Sequence, residues 1–279
     1  MALILMSFAW LDKPAYQIFD AKGDKSDYKQ LLKKAAKADI ILFGELHNNP
    51  ISHWLQLELT KDLYEKAKDK LVLGAEMFET DNQLIIDEYL SDIINEKKFE
   101  GEARLWPNYK TDYKPLVQLA KDNSLPFVAT NIPRRYASVV FNQGLEGLEQ
   151  LSEDAKRYIA PLPIEVDLTL PGYKKMLEMG GHGHAMSKNF PKAQAIKEAT
   201  MAHFIVENWK KGKQFIHFNG TYHSDNYEGI VWYLKKANPK LKILTISATE
   251  QVEVETLAED MQNQADFIIA TPESMTKTH

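Results

Sequence analysis

Six short apolar runs, at residues 39–43, 71–75, 126–129, 215–218, 242–246 and 266–270, constrain this chain more than any other feature. None alternates every second residue, as a sheet wetted on one side would, so each reads as a strand covered on both faces. Helical stretches separate them. Residues 52–68 carry Leu55, Leu59, Leu63 and Ala67 at four-residue spacing, with Ser52 placed to cap the helix behind Pro50. Residues 190–211 set Met201, Ile205 and Trp209 on one face and end in a basic turn before Gly212. This alternation predicts an α/β fold, with a mostly parallel central sheet and helices on both faces. Residues 145–192 break the rhythm, are rich in Pro and Gly, and read as a helical insertion or lid. No repeat, low-complexity tract or linker marks a boundary, so residues 10–279 are expected to form a single domain.

Composition removes several chemistries. There is no cysteine, which excludes disulfides, thiolate nucleophiles and Cys-ligated zinc or iron–sulfur centres. Any metal must then be held by His, Glu, Asp or Tyr. The balance of 34 Lys and Arg against 39 Asp and Glu, net −5, argues against nucleic acid as a partner. No apolar run approaches the roughly 18–20 residues of a membrane span. The opening MALILMSFAW, with Ser7-Phe8-Ala9 as a small-x-small site, reads as a clipped signal-peptide remnant over residues 1–9. The expectation is an exported protein, periplasmic or at the cell surface, and without cysteine no lipid anchor.

In open α/β sheets, sites form beyond the carboxyl ends of the strands. That rule selects a compact set here. The first run leads directly into Glu45 and His47, the second ends in Glu76, the third leads into Asn131, and the fourth ends in Asn219 and His223. Any one of them is compatible with a turn or surface role, but four strands deliver carboxylate, imidazole or amide groups to one edge. Charges buried there would be costly unless paired or metal-bound. His53 lies close enough to join them. His203 reads as a packed core histidine, and His217, inside a strand, carries no assigned role. His182 and His184, flanked by glycines, can splay from a loop. Trp106-Pro107-Asn108-Tyr109 and Tyr113 make an aromatic loop ahead of a helix at 116–121, and Tyr222 adjoins His223.

GELHNNPISHWLQ, GAEMF, WPNYKTDYKPL, ATNIPRRYASVV, KAQAIKEATMAHF and FNGTYHSDNYEGI follow one another in the order seen in the ChaN family. The chain resembles that family, of haem-binding, iron-regulated proteins related to the Tiki and erythromycin-esterase-like group, over roughly residues 39–234. The resemblance implies an α/β fold with a helical insertion and haem near the strand ends, held in a monomer or between the subunits of a homodimer. It also implies ligation by tyrosine, for which Tyr113 and Tyr173 are placed, with His182 and His184 as further haem-site residues. The chain departs from the family at His182-Gly183-His184-Ala185-Met186, where members usually carry His-Cys-Gly-Met, and at Lys197-Glu198, where Arg-Asp is common.

Three functional readings follow. A haem-binding protein of iron acquisition needs an axial donor, apolar walls and cations for the propionates, and Arg134 or Arg135 beside Asn131 supplies the last. A divalent-metal hydrolase would use Glu45, His47, Glu76 and His223, donors that suit Zn²⁺ or Mn²⁺, to activate water. Glu45 and His47 could also act as a base pair without metal. A binding module for another small molecule or protein is the third reading.

Overall fold

The computed structural model describes residues 13–179 and 188–279. Within them eight strands form one sheet: β1 (Gln17–Asp20), β2 (Lys25–Ser26), β3 (Ile40–Glu45), β4 (Leu71–Glu79), β5 (Phe127–Asn131), β6 (Gln214–Gly220), β7 (Ile243–Gln251) and β8 (Phe267–Pro272). Their order across the sheet is β2-β1-β8-β7-β3-β6-β4-β5. The pairs among β3 to β8 are all parallel, and every run singled out in the sequence coincides with one of these strands to within one residue at its start. The sheet is nonetheless mixed. β1 pairs antiparallel with both β8 and β2, a hairpin that the apolar pattern did not signal because its strands are four and two residues long.

Among the described residues ten α-helices complete the architecture: α1 (Tyr28–Ala35), α2 (Pro50–Ala67), α3 (Gln83–Leu90), α4 (Glu96–Glu102), α5 (Lys114–Asp122), α6 (Arg134–Gln143), α7 (Glu153–Lys156), α8 (Pro171–Met179), α9 (Phe190–Asn208) and α10 (Ile230–Ala237). Helices α1 to α5 bury Leu31, Leu55, Leu59, Ile86, Phe99 and Leu116 against Phe43, Leu73, Phe127 and Phe218 on one sheet face. On the other face α9 and α10 pack Met201, Ile205, Ile230 and Leu234 against Ile40, Leu42, Val72 and Phe215. Alternate residues of one strand thus serve opposite layers, which is why the strands read as unbroken apolar runs. Burying each such side chain stabilises the fold by about 1.5–3 kcal/mol.

Two expected helix ends move. The cap of α2 is Asn49, whose side-chain oxygen accepts from Ser52 N at 3.0 Å. Pro50 then takes the first helical position, where its missing N–H costs nothing, and Ser52 falls inside the helix. Helix α9 stops at Asn208, short of residue 211, because Trp209 turns extended (φ −86°, ψ 136°). The described part of the insertion at 145–192 carries a 3-10 turn (Leu145–Gln150), α7, α8 and the start of α9, with an irregular stretch over 157–170 between α7 and α8. Tyr173 and Met176 of α8 pack on Ala195 of α9, so the described part of this segment leans on α9.

The sheet order decides where the site falls. β3 is central, with β6 on one side and β7 on the other, so its carboxyl end opens toward those of β6 and β4. The β4–β5 register shifts between Ala75 and Glu79, leaving Glu76 out of the ladder and free to bend toward β6.

Candidate functional site

Glu45, the last residue of β3, is buried and surrounded by donors. Its Oε1 accepts from Tyr113 Oη at 2.7 Å and lies 2.9 Å from His47 Nδ1, while Oε2 accepts from Gln56 Nε2. Gln56 and His53 come from the same face of α2, three residues apart, with His53 Nδ1 at 3.1 Å from Gln56 Oε1. His53 Nε2 faces His47 O at 3.1 Å and Asp112 Oδ2 at 3.4 Å. Asn108 and Asp112 belong to the aromatic loop, where Tyr109–Tyr113 forms a π-helical turn. Asn108 Nδ2 donates to His47 O at 2.9 Å and so holds the histidine backbone from the far side.

His47 is therefore fixed in orientation while its side chain is 40% exposed. Its Nδ1–H is directed at Glu45, and the ring meets Trp106 edge-on at 4.9 Å. Burial disfavours the imidazolium, but the Glu45 hydrogen bond and the nearby Glu76 outweigh it and raise the proton affinity of His47. Nε2 makes no hydrogen bond among the described residues. A carboxylate-oriented imidazole with one free nitrogen can bind a metal centre or take a proton.

The other half of the site is an ion chain. Glu76 Oε2 accepts from Gly220 N at 2.8 Å, and Oε1 lies 3.1 Å from His223 Nε2. His223 Nδ1 lies 3.1 Å from Glu198 Oε1 of α9, and Tyr173 Oη donates to the other Glu198 oxygen. Burial works against the charge on His223, yet Glu76 and Glu198 together push its pKa up to about 9. Burial likewise opposes ionisation of Glu76, but His223, His47 and the Gly220 N–H hold it well below the usual carboxylate range. Gly229, at φ +53°, lets the chain pass here: a Cβ would lie 2.4 Å from His223 O and 3.0 Å from Glu198 Cδ.

Between the halves sits Gly220. A Cβ at that position would approach the His47 ring to 2.9 Å, although its φ of −59° suits any residue. Gly220→Ala should turn the imidazole off Glu45 with little change in melting temperature. The His47 pKa read by NMR titration should then fall toward its ordinary value; an unshifted pKa would show that the glycine does not seat the ring.

A cleft of about 610 Å³ opens beside these groups. Leu105, Trp106, Pro107, Ile132 and Ala137 give it apolar walls, and Glu76, Glu79, Asn131, Arg104, Arg134 and Lys197 its polar ones. Asn131 Oδ1 is buried there without a partner among the described residues. Arg134 lines the cleft, whereas Arg135 turns to Asp81 at 2.6 Å and covers the Tyr136 ring.

The sequence candidates divide on this geometry. Glu45, His47, Glu76, Asn131 and His223 all lie at one sheet edge, with Arg134 on the cleft wall. Tyr113 and Tyr173 do not present open hydroxyls. Both are buried, each donates to a glutamate, and burial with that neighbouring charge raises their pKa values beyond the ordinary tyrosine range. A tyrosinate in either place would face a carboxylate, and in this structure both hydroxyls are engaged by Glu45 and Glu198. The proposed metal set of Glu45, His47, Glu76 and His223 does not converge either. Its members pair off as Glu45–His47 and Glu76–His223, and among the described residues no three His, Asp or Glu are disposed around a common ion. His182 and His184 lie outside the described residues, as does the segment read as a signal remnant.

His203, expected in the core, is half-buried and lines a small pocket beside α9 and α10. His217 sits between Thr130 Oγ1 at 2.7 Å and Asn219 Oδ1 at 3.1 Å, and burial depresses its pKa to about 4, so it is a neutral structural group. The strand-end rule missed Glu198, Gln194 and Asp112. A signal for the first existed: Glu198 shares the helical face of Gln194, Met201 and Ile205, an acidic group on a stripe bound for the interior.

Fold and site together define a class: a three-layer α/β protein with a carboxylate-oriented imidazole at the strand ends, beside a cleft flanked by cations. A sequence profile described as haem-binding uptake, Tiki superfamily, ChaN matches residues 31–234, and the chain belongs to that family. Among solved structures, one of cofacial haem binding to ChaN of Campylobacter jejuni is similar over 91% of this chain and 96% of its own, with a TM-score of 0.69 and 17% identity. A succinoglycan biosynthesis protein (TM-score 0.52, 12% identity, 88% of this chain and 90% of its own) and a Bacillus cereus protein (0.50, 10%, 88% and 90%) share the fold. No curated protein sequence matches the chain.

Proposed function

We propose that this chain binds haem in the strand-end cleft, with His47 Nε2 as the protein donor to iron. The observation that carries the reading is the carboxylate-fixed imidazole of His47, whose Nε2 has no partner among the described residues, beside an apolar-walled cleft that Arg134 and Lys197 also line. Membership of a haem-binding family supports the same ligand. Haem iron accepts an imidazole donor, and its visible spectrum reports that bond. A volume of about 610 Å³ falls within the about 300–1,000 Å³ typical of small-molecule sites. Glu45 holds the His47 tautomer, Trp106 supports the ring, and the cleft walls exclude water from one side. Titration of haemin into the protein should give a saturable shift of the Soret band. A flat titration would remove the reading.

We also read the protein as exported and engaged in iron acquisition, which fractionation of the native host tests directly. A second function is favoured by one specific feature, the Glu45–His47 pair, whose geometry suits metal-free activation of water. An ester and peptide substrate panel run with wild type and Glu45→Gln tests it, and equal background rates for both would discard it.

A further inference from the structure

The loop that carries His47 is gripped at each of its residues. His47 O accepts from Asn108 Nδ2 at 2.9 Å, with His53 Nε2 at 3.1 Å. Asn49, at the far end, donates from Nδ2 to Glu250 Oε1 at 2.9 Å and to Thr271 Oγ1 at 2.8 Å. The carbonyl of Asn48, between them, accepts from Thr278 N at 3.0 Å, a donor from far along the chain.

Thr278 makes a second bond. Its Oγ1 donates to Asp112 Oδ2 at 2.7 Å. Asp112 is buried, and the same oxygen accepts from Asn108 Nδ2 at 2.6 Å and faces His53 Nε2 at 3.4 Å. Asn108 and His53 are the two side chains that hold His47 O, so the Thr278 hydroxyl completes the donors around the carboxylate that orders them. A buried polar network of this kind fixes one arrangement when every member is satisfied and loosens when a donor is lost.

The residues leading to Thr278 hold it in place. Glu273 N donates to Gln251 O at 3.0 Å beyond the ends of β7 and β8, and Met275 N closes a turn on Pro272 O at 3.1 Å. Lys277 pairs with Glu250 on the oxygen that also accepts from Asn49. Residues 273–279 thus pass from β8 to the loop at 47–49. Glu273, Ser274 and Thr276 are exposed, so the segment is held mainly by these polar bonds.

We infer that residues 273–279 form a strap that seats the His47 loop, with Thr278 as its positioning residue. Glu45 fixes the Nδ1 side of the imidazole, while the backbone that carries the ring is fixed through Asn48 and Asp112. Support of this outer kind sets how closely a binding side chain keeps its geometry. The inference rests on the proposed function only for the role of His47 as iron donor.

NMR of the ligand-free protein reads the seating without haem. Thr278→Val keeps the branched shape of the side chain and removes the hydroxyl. The amide of Asn49, bonded to Leu46 O at 2.9 Å, should then exchange with water about tenfold faster. The difference between the two ring-nitrogen shifts of His47 should shrink as its tautomer is held less firmly. Haemin affinity should fall by about tenfold, the lower end for groups that orient a metal-binding histidine. Thr278→Ser should restore all three, and Thr276→Val, at an exposed threonine of the same segment, should change none. Wild-type exchange and ring shifts in Thr278→Val, no recovery in Thr278→Ser, or equal changes in Thr276→Val would overturn the strap. Failure of the haem reading looks different: haemin would bind none of these proteins, while the NMR signals of the loop still followed the Thr278 hydroxyl.

Discussion

His47→Ala should abolish the Soret shift that haemin produces with wild type, and this is the largest functional effect expected of any single substitution here. The residue supplies the exposed Nε2, and the buried phenols of Tyr113 and Tyr173 cannot replace it without breaking their bonds to Glu45 and Glu198. Glu45→Gln should produce a graded loss, since removing the partner that orients a metal-binding histidine typically weakens binding by about 10–100-fold. An amide also fits the pocket poorly. Tyr113, His47 and Gln56 all direct donors at Glu45, and a glutamine would set its own NH₂ against one of them. Haemin titrations of the two variants, with circular dichroism to confirm folding, separate donor from positioner. An unchanged Soret band in His47→Ala would move the iron donor off this residue.

The largest stability effect should come from His223→Ala. The imidazolium stands between the buried carboxylates Glu76 and Glu198, with Gln194 alongside and His47 and His217 close enough to feel its charge. Removing it leaves two like charges buried without a counter-ion, which costs about 3–5 kcal/mol, a fall in melting temperature on the order of 10 °C for a chain of this size. The pH profile should carry the same signature. His223 has its folded pKa raised from 6.5 to about 9, so its contribution is fully present below pH 6.5 and is lost as pH rises through 9. Glu76 has its folded pKa lowered, so its contribution is present above its unfolded value of 4.5 and is lost as pH falls below it. Wild type should therefore soften on the alkaline side between pH 6.5 and 9, and His223→Ala should flatten that limb. Parallel alkaline limbs in the two proteins would show that His223 is not charged in the fold.

The sheet was legible in the sequence because its parallel strands are buried on both faces, which leaves unbroken apolar runs such as those in β3 and β7. The β1–β2 hairpin was not, since two- and four-residue strands are too short to show a period. In the site, the strand-end rule finds where Glu45, Glu76 and His223 emerge. It says nothing of which way a side chain then turns. Tyr113 and Tyr173 read as open ligands by type and position, yet their hydroxyls point inward at carboxylates, a choice made by tertiary packing of the π-turn and α8. Glu198 was hidden for the converse reason: it lies mid-helix, where no strand-end argument looks, and its partner is an imidazole from the turn after β6.

The insertion of β6 between β3 and β4 also sets a timetable for assembly. Glu45 and Glu76 leave the ribosome early, on strands that never touch each other. Their meeting place is built by a segment that reaches back 144 residues from Gly220 and 147 from His223 to Glu76. Contacts so distant in sequence carry a large loop-closure cost and form late. Until β6 threads into its slot, both carboxylates stay hydrated, His223 has no partners, and there is no seat for His47 against Gly220. A nascent or truncated chain ending before β6 thus has only three of the six apolar strands and lacks the groups that join Glu76 to His47 and His223, so the strand-end site exists only in molecules whose sheet is complete.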